Sequence, residues 1–282
     1  MIKQIQQKFH QELKDLFPEK EINTFLYLLL EKIANLSRLD LVLFPDKKLD
    51  EKQISQFEKA LHRLKNHEPI QYIIGETEFY GLKFIVNKNV LIPRPETEEL
   101  VDWIIKDFQN FSDDFSILDI GTGSGCIAIS LASKLKKADI SAWDISAKAL
   151  KTAKENAEIN KVKINFQQKN ILGISANFNK KYEVIVSNPP YIRELEKKEM
   201  QSNVLAHEPH LALFVKDDDA LLFYREILKF AEKNLTKNGK LYFEINEYLP
   251  EEMKELIREF KVKKYEFKKD IFGKYRMMKI QF

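Results

Sequence analysis

From residue 116 onward, short runs rich in β-branched residues alternate with longer amphipathic segments. This alternation restricts the fold more than any other feature of the chain. "SILDI", "ADISAWDI", "VKINFQQ", "YEVIVSN" and "GKLYFEI" have the length and composition of buried strands. Among and after them stand "CIAISLASKL", "AKALKTAKENAEIN", "DALLFYREILKFAEKNL" and "PEEMKELIREF", whose apolar residues recur at helical spacing. A strand followed by a helix reaches its neighbour by a crossover rather than a tight turn, so the strands are expected to run parallel. Helices then cover both faces, which predicts an α/β fold with a doubly wound sheet. Two more strands are expected to close the chain.

Residues 2–66 read as helices instead. Ile2, Ile5, Phe9 and Leu13 recur every three or four residues, and "EINTFLYLLLEKIANL" continues as a second helix. Ile54, Phe57, Leu61 and Leu64 share one face of a third, and Pro69 closes the region. "IQYIIGETEFYGLKFIVNKNVLIP" is rich in β-branched and aromatic residues and is punctuated by Gly75, Gly81 and Asn87. Short strands are expected there, forming a hairpin between two domains. "RPETEELVDWIIKDF" opens a helix with acidic residues in its first turn, where the dipole favours them. Pro95 suits that first turn and Thr97 is a candidate cap. The expected organisation is a helical domain over residues 1–68, a β-hairpin linker over 69–93 and the α/β domain over 94–282.

Bulk properties exclude several classes. Of 282 residues, 46 are basic and 43 acidic, a net charge of +3, which does not itself call for a nucleic-acid partner. The single cysteine, Cys126, excludes an intrachain disulfide and suits a reducing cytosol. The five histidines are scattered without metal-ligand spacing. "FLYLLL" is too short to span a bilayer, and the charged N-terminal stretch lacks an apolar signal core. A cytoplasmic protein without membrane contact is expected.

Two constellations carry chemistry. In "ILDIGTGSGCIA", Gly121, Thr122, Gly123, Ser124 and Gly125 lie at the turn from the first strand of the alternating region into its helix. Glycines there let a ligand approach the backbone beside a helix N-terminus. A dinucleotide fingerprint wants glycine or alanine where Cys126 stands. Asp144 ends the next strand, where a carboxylate can accept both hydroxyls of a ribose. The pair points to an adenosine-bearing cofactor whose identity the loop alone leaves open.

The second is "SNPPY" at the end of the fourth strand of the alternation. Ligands of open α/β sheets sit beyond the carboxyl ends of strands, so Asn188 should face the same crevice as the glycine loop. Its amide oxygen can accept one N–H, and the Pro189 carbonyl a second. Pro190 restricts that carbonyl's direction. Tyr191 offers a flat face for a planar group. Together they can clamp a planar –NH2 and aim its lone pair at an electrophile, and orientation of this kind supplies up to about 7–11 kcal/mol in the best cases. An adenosine cofactor carrying an electrophile is S-adenosyl-L-methionine, with S-adenosyl-L-homocysteine as product.

"DIGTGSG", "WDIS" and "VSNPPYI" occur in the order found in amino-group methyltransferases of the seven-stranded adenosylmethionine-dependent fold. "EPIQYIIGETEFYGLKFIVNKNVLIPRPETEELV", "EPHLALF" and "DIFGKYRMM" narrow this further. They resemble the peptide chain release factor glutamine methyltransferases, the PrmC/HemK family, over roughly residues 60–282. The resemblance implies a helical N-terminal domain that docks substrate, a hairpin linker and a seven-stranded catalytic domain. It implies methyl transfer to the side-chain nitrogen (N5) of the glutamine in the Gly-Gly-Gln motif of class I release factors, a step in translation termination. By resemblance, Gly121 to Gly125 and Asp144 hold the cofactor, with Asn188 near its methionine part. Asn188, Pro189, Pro190 and Tyr191 hold the substrate amide, and Arg94 to Glu98 brace the pocket. Asn170 and Ile171 stand where the family often has an acid and an aromatic beside the adenine. Val215, Lys216 and Asn246 replace frequent glycines. A monomer without stable nucleic-acid binding is expected. The principal rival is an adenine-N6 DNA methyltransferase, which uses the same clamp on a flipped base but would need a target-recognition domain and phosphate-binding cations. An RNA guanine-N2 enzyme meets the same objection, an oxidoreductase lacks an evident hydride-transfer acid, and a non-catalytic sensor would not need an intact clamp.

Overall fold

The computed structural model describes residues 2–43, 47–175, 178–199 and 202–282. Residues 44–46, inside the stretch expected to be helical, lie outside the described residues. The chain divides into two compact units, Met1–Gly75 with Gln201–His207, and Glu76–Met200 with Glu208–Phe282.

The first unit contains α1 (Ile2–Leu13), α2 (Glu19–Ala34), α3 (Arg38–Leu43), α4 (Glu51–Lys65) and α5 (Ile70–Ile74). The periodic residues of the sequence form its core: Phe9 and Leu13 pack with Leu26, Leu30, Phe57, Leu61 and Leu64. Asp50 and Gln53 form a reciprocal capping box at the start of α4, which satisfies two otherwise orphaned backbone donors. Helix α5 corrects the expectation of strand at residues 70–74. Pro69 pre-sets its entry and Gly75 ends it in the left-handed region at φ 78°. Arg63 on α4 donates to the carbonyls of Tyr72 and Ile73 at 3.1 and 3.2 Å. That cap comes from another helix and outweighs the β propensity of the isoleucines.

In the second unit, β1 (Glu76–Phe79) and β2 (Leu82–Ile85) pair as an antiparallel hairpin. Helix α6 (Pro95–Phe108) follows, then β3 (Phe115–Ile120), α7 (Cys126–Lys134), β4 (Ala138–Asp144), α8 (Ala147–Ile159), β5 (Asn165–Gln168) and β6 (Tyr182–Ser187). A two-residue β7 (Ile192–Arg193), α9 (Ser202–His207, part of the first unit), α10 (His210–Leu213) and β8 (Phe214–Val215) intervene. The chain ends with α11 (Leu222–Asn234), β9 (Leu235–Glu244), α12 (Pro250–Ile257), β10 (Lys264–Lys269) and β11 (Tyr275–Gln281). The seven-stranded sheet has the order β10-β11-β9-β6-β3-β4-β5. Strands β5, β4, β3, β6 and β9 pair in parallel, as the alternation requires. Strand β11 is antiparallel to both neighbours, because the five residues after β10 allow a turn but no crossover.

Alternation along the central strands builds two cores. Ile117, Val184, Val186 and Tyr242 face Leu100, Ile104, Ile127 and Leu131 of α6 and α7. Leu118, Ile185, Leu241 and Phe243 face Tyr224, Ile227, Leu228, Met253 and Leu256 of α11 and α12. The strand order reverses between β3 and β6, so the crevice beyond their carboxyl ends is the expected ligand site. No helix among the described residues is long and apolar enough to cross a membrane.

Candidate active site

A cavity of about 360 Å³ opens at this switch point, within the size range of cofactor sites. Its lining includes Gly121, Thr122, Gly123 and Ser124 after β3, Asp144 at the end of β4, Asn170 and Ile171 after β5, and Asn188, Pro189 and Pro190 after β6. Four separate strand ends thus bring most of the sequence-selected residues to one place. Gly125 and Tyr191 are not among the lining residues.

The loop after β3 needs its glycines for two different reasons. Gly121 and Gly123 have φ values of 76° and 56°, and a Cβ at either would meet no atom within 4 Å, which leaves their backbone open to a ligand. Gly125, at φ 83°, is close-packed: a Cβ there would lie 2.9 Å from Ile129 Cδ1 and 3.2 Å from Ala153 Cβ. The loop is held from both sides. The Trp143 carbonyl accepts from Gly121 and Thr122 N–H at 2.8 and 3.0 Å. Asn156, fully buried on α8, donates to the Ser124 carbonyl and exchanges bonds with both backbone groups of Ile85.

Asp144 accepts the Gly123 N–H on one oxygen at 2.9 Å and the Ser146 N–H on the other at 2.8 Å. Each oxygen keeps a second lone pair for a ligand hydroxyl. Burial pushes its pKa up, while these backbone donors pull it down. Asp119, at the carboxyl end of β3, is wholly buried, and burial raises its pKa to about 7 against the Thr122 hydroxyl bonded at 2.6 Å. Its second oxygen has no hydrogen-bond partner among the described residues. Open glycine backbone and ribose-ready lone pairs fit an adenosine cofactor. Asn170 accepts the Leu172 N–H at 3.0 Å, which caps the short turn that carries Ile171.

The Asn-Pro-Pro-Tyr loop is anchored by Thr97, within the stretch expected to brace the pocket, and by Glu244 and Asn246, which the sequence did not flag for this work. Glu244 ends β9 and is 1% exposed. Its carboxylate accepts the Thr97 hydroxyl at 2.6 Å and the Tyr191 hydroxyl at 2.9 Å. Burial raises its pKa, and those two donors together with Arg276 lower it. Thr97 therefore does not cap α6; its hydroxyl serves Glu244 instead. Asn188 Nδ2 donates to Thr97 Oγ1 at 3.4 Å. Asn246, at a position expected to be glycine, donates to the Tyr191 carbonyl at 3.0 Å and so pins the loop. Arg94 forms a 2.6 Å ion pair with buried Glu208, which also accepts the Ile92 N–H at 3.3 Å. The only sequence signal for Glu244 was an acid directly after the apolar run "LYF". Nothing local pairs it with Thr97.

Residues 102–213 match the Methyltransferase small domain family, and residues 4–75 match the PrmC N-terminal domain. A release factor glutamine methyltransferase of Flavobacterium psychrophilum is 55% identical, over all of this chain and 99% of its own length. That of Bacteroides thetaiotaomicron is 43% identical over 95% of each chain. Among solved structures, the hMettl16 catalytic domain in complex with a 3'UTR hairpin aligns with a TM-score of 0.56 at 15% identity, covering 83% of this chain and 82% of that one. A methyltransferase from Pyrococcus furiosus aligns with a TM-score of 0.51 at 17% identity, over 79% and 98%. At these identities the two structures share the fold.

Proposed function

The chain belongs to the release factor glutamine methyltransferase family, and from that premise we propose that it methylates the side-chain amide nitrogen of the glutamine in the Gly-Gly-Gln motif of class I release factors. It is an S-adenosyl-L-methionine-dependent protein methyltransferase, and S-adenosyl-L-homocysteine is its product. The observation that carries the proposal is the convergence of the glycine loop, Asp144 and Asn188–Pro190 on one cavity.

When bound, S-adenosyl-L-methionine supplies an electrophilic methyl group on a sulfonium. Gly121 to Ser124 would hold it through backbone groups and Asp144 through its two ribose hydroxyls, with Asn170 and Ile171 beside the adenine. Asn188 Oδ1 and the Pro189 carbonyl would each accept one hydrogen of the glutamine amide. An amide nitrogen is a weak nucleophile because its lone pair is delocalised. Gripping both hydrogens favours a pyramidal nitrogen and aims its lone pair at the methyl. The nitrogen needs no prior deprotonation, since its proton becomes acidic only as the new bond forms. Pro190 fixes the Pro189 carbonyl, and Tyr191 anchors the loop through Glu244.

The helical unit is assigned to docking the release factor. Removal of residues 1–68 should then raise the release-factor KM while cofactor affinity persists, and unchanged KM would contradict the assignment. The enzyme is further proposed to act in the cytoplasm as a monomer without stable nucleic-acid binding. The adenine-N6 DNA methyltransferase reading has no support, since the full-length relatives are release factor enzymes. A methyl-transfer assay with labelled S-adenosyl-L-methionine, offering release factor, DNA and ribosomal RNA side by side, tests the function. Label on the release factor glutamine alone is expected. Label on either nucleic acid in preference to it would contradict the proposal.

A further inference from the structure

We propose that Thr97 and Glu244 are a positioning pair that decides which end of the Asn188 side-chain amide faces the substrate. The inference rests on the glutamine-methylating function proposed above. It starts from a relay of hydrogen bonds running from a buried carboxylate to the cavity wall. Glu244 accepts the Thr97 hydroxyl on one oxygen and the Tyr191 hydroxyl on the other. Both Glu244 and Thr97 are buried, at 1% and 2% exposure, so water does not compete for these bonds.

Proton counting fixes the rest. A threonine hydroxyl carries one hydrogen, and at 2.6 Å that hydrogen is committed to the carboxylate. Toward Asn188, Thr97 Oγ1 therefore offers only a lone pair. It can receive the amide NH2 and cannot receive the amide oxygen. Asn188 Nδ2 does donate to it, at 3.4 Å, a long bond of the kind that tightens when a substrate arrives. With its NH2 turned to Thr97, Asn188 keeps Oδ1 as the acceptor for a substrate N–H.

The alternative orientation is nearly identical in shape, because the oxygen and nitrogen of a primary amide are almost the same size. It would set Oδ1 against the lone pair of Thr97 and point an N–H at the glutamine N–H, donor against donor. Packing alone does not discriminate these two states. The Thr97–Glu244 bond does, and so keeps the clamp in its accepting form. Thr97 reaches Asn188 directly from α6, and Glu244 acts on it through Thr97 from β9, two elements that carry no other part of the clamp.

The test compares Thr97→Val, which keeps the shape and removes the hydroxyl, with Thr97→Ser, which keeps the hydroxyl. For each, kcat and KM on a class I release factor are measured together with S-adenosyl-L-homocysteine affinity and thermal stability. Valine is expected to lower kcat by about 10–100-fold through misorientation, with KM and cofactor affinity within about threefold of wild type. Serine is expected to restore kcat to within about threefold. Should valine prevent folding, Thr97→Ala is read against the same expectations. A hydroxyl-free variant with kcat within about twofold of wild type, or a serine variant as slow as valine, overturns the proposal. A wild-type enzyme that binds the cofactor yet leaves the release factor unmethylated overturns the function itself. An active wild type with an unaffected valine variant overturns the positioning pair alone.

Discussion

Replacing Gly125 with alanine should damage the fold, whereas the same change at Gly123, two residues earlier, should chiefly damage cofactor binding. Gly125 has φ 83°, and its new Cβ would meet Ile129 Cδ1 at 2.9 Å and Ala153 Cβ at 3.2 Å. The isoleucine tip can swing aside, but the alanine methyl has no torsion to move it, so α7 and α8 must separate. The left-handed backbone costs alanine about 1–2 kcal/mol, and overpacking adds about 1–3 kcal/mol. The sum, roughly 2–5 kcal/mol, lowers Tm by about 4–20 °C at the roughly 2–4 °C per kcal/mol usual for a unit of this size. At Gly123, φ is 56° and a Cβ meets nothing within 4 Å, so only the backbone cost of about 1–2 kcal/mol applies. Gly123 lines the cavity, however, and a methyl there occupies space beside backbone that the cofactor must approach. Its affinity for S-adenosyl-L-homocysteine is expected to fall at least about tenfold. Calorimetric melts of the cofactor-free proteins and titration of each with S-adenosyl-L-homocysteine give both quantities. Equal stability losses for the two variants, or wild-type affinity for Gly123→Ala, would refute this division of labour within the loop.

Three other outcomes follow from the same site. Asn188→Ala should leave cofactor affinity within about tenfold of wild type while removing most of kcat, because the lost oxygen acts on orientation; calorimetry and single-turnover methylation check this, and an unchanged kcat would count against the clamp. Asp119 has a pKa raised from 3.8 to about 7 by burial, so its folded form binds a proton more tightly than the unfolded chain. Its contribution to stability is present below about pH 4 and lost as pH rises through about 7, at most roughly 4 kcal/mol. Asp119→Asn should therefore raise the Tm of the cofactor-free protein at pH 8 and flatten its pH dependence, and melts across pH 4–8 showing no such gain would contradict it. Asn156→Ala would leave the Ile85 N–H and the Ser124 carbonyl without their buried partner; a loss of about 2–4 kcal/mol in urea denaturation is expected, and a loss below about 0.5 kcal/mol would show that other groups replace it.

What the sequence disclosed, and what it withheld, divides by the range of the forces involved. The sheet was legible because short β-branched runs and helically spaced apolar residues are both local patterns, and their alternation along the chain requires parallel strands with crossovers. The site was legible for a related reason: a glycine loop at one strand end and an acid at the next must meet at the switch point of such a sheet. Residues 70–74 misled because Ile-Gln-Tyr-Ile-Ile favours strand locally, while the guanidinium that caps the helix comes from Arg63. Thr97 misled only as a cap; it lines the cavity, within the stretch expected to brace the pocket. Its place in the first turn of α6 suits a cap, yet its hydroxyl is taken by a carboxylate 147 residues later. The ring of Tyr191 was legible as a flat face, but the tie of its hydroxyl to Glu244 was not. Asn246, seen only as a substitution for glycine, holds the Tyr191 carbonyl. In each case the missing information was a hydrogen-bond partner on another element, which no local pattern encodes.

The decisive measurement is a crystal structure of the enzyme with S-adenosyl-L-homocysteine and a peptide containing Gly-Gly-Gln. The glutamine side-chain nitrogen should lie within about 3.2 Å of both Asn188 Oδ1 and the Pro189 carbonyl oxygen, facing the cofactor sulfur. A glutamine amide bound near that sulfur with either oxygen rotated out of reach would contradict the account.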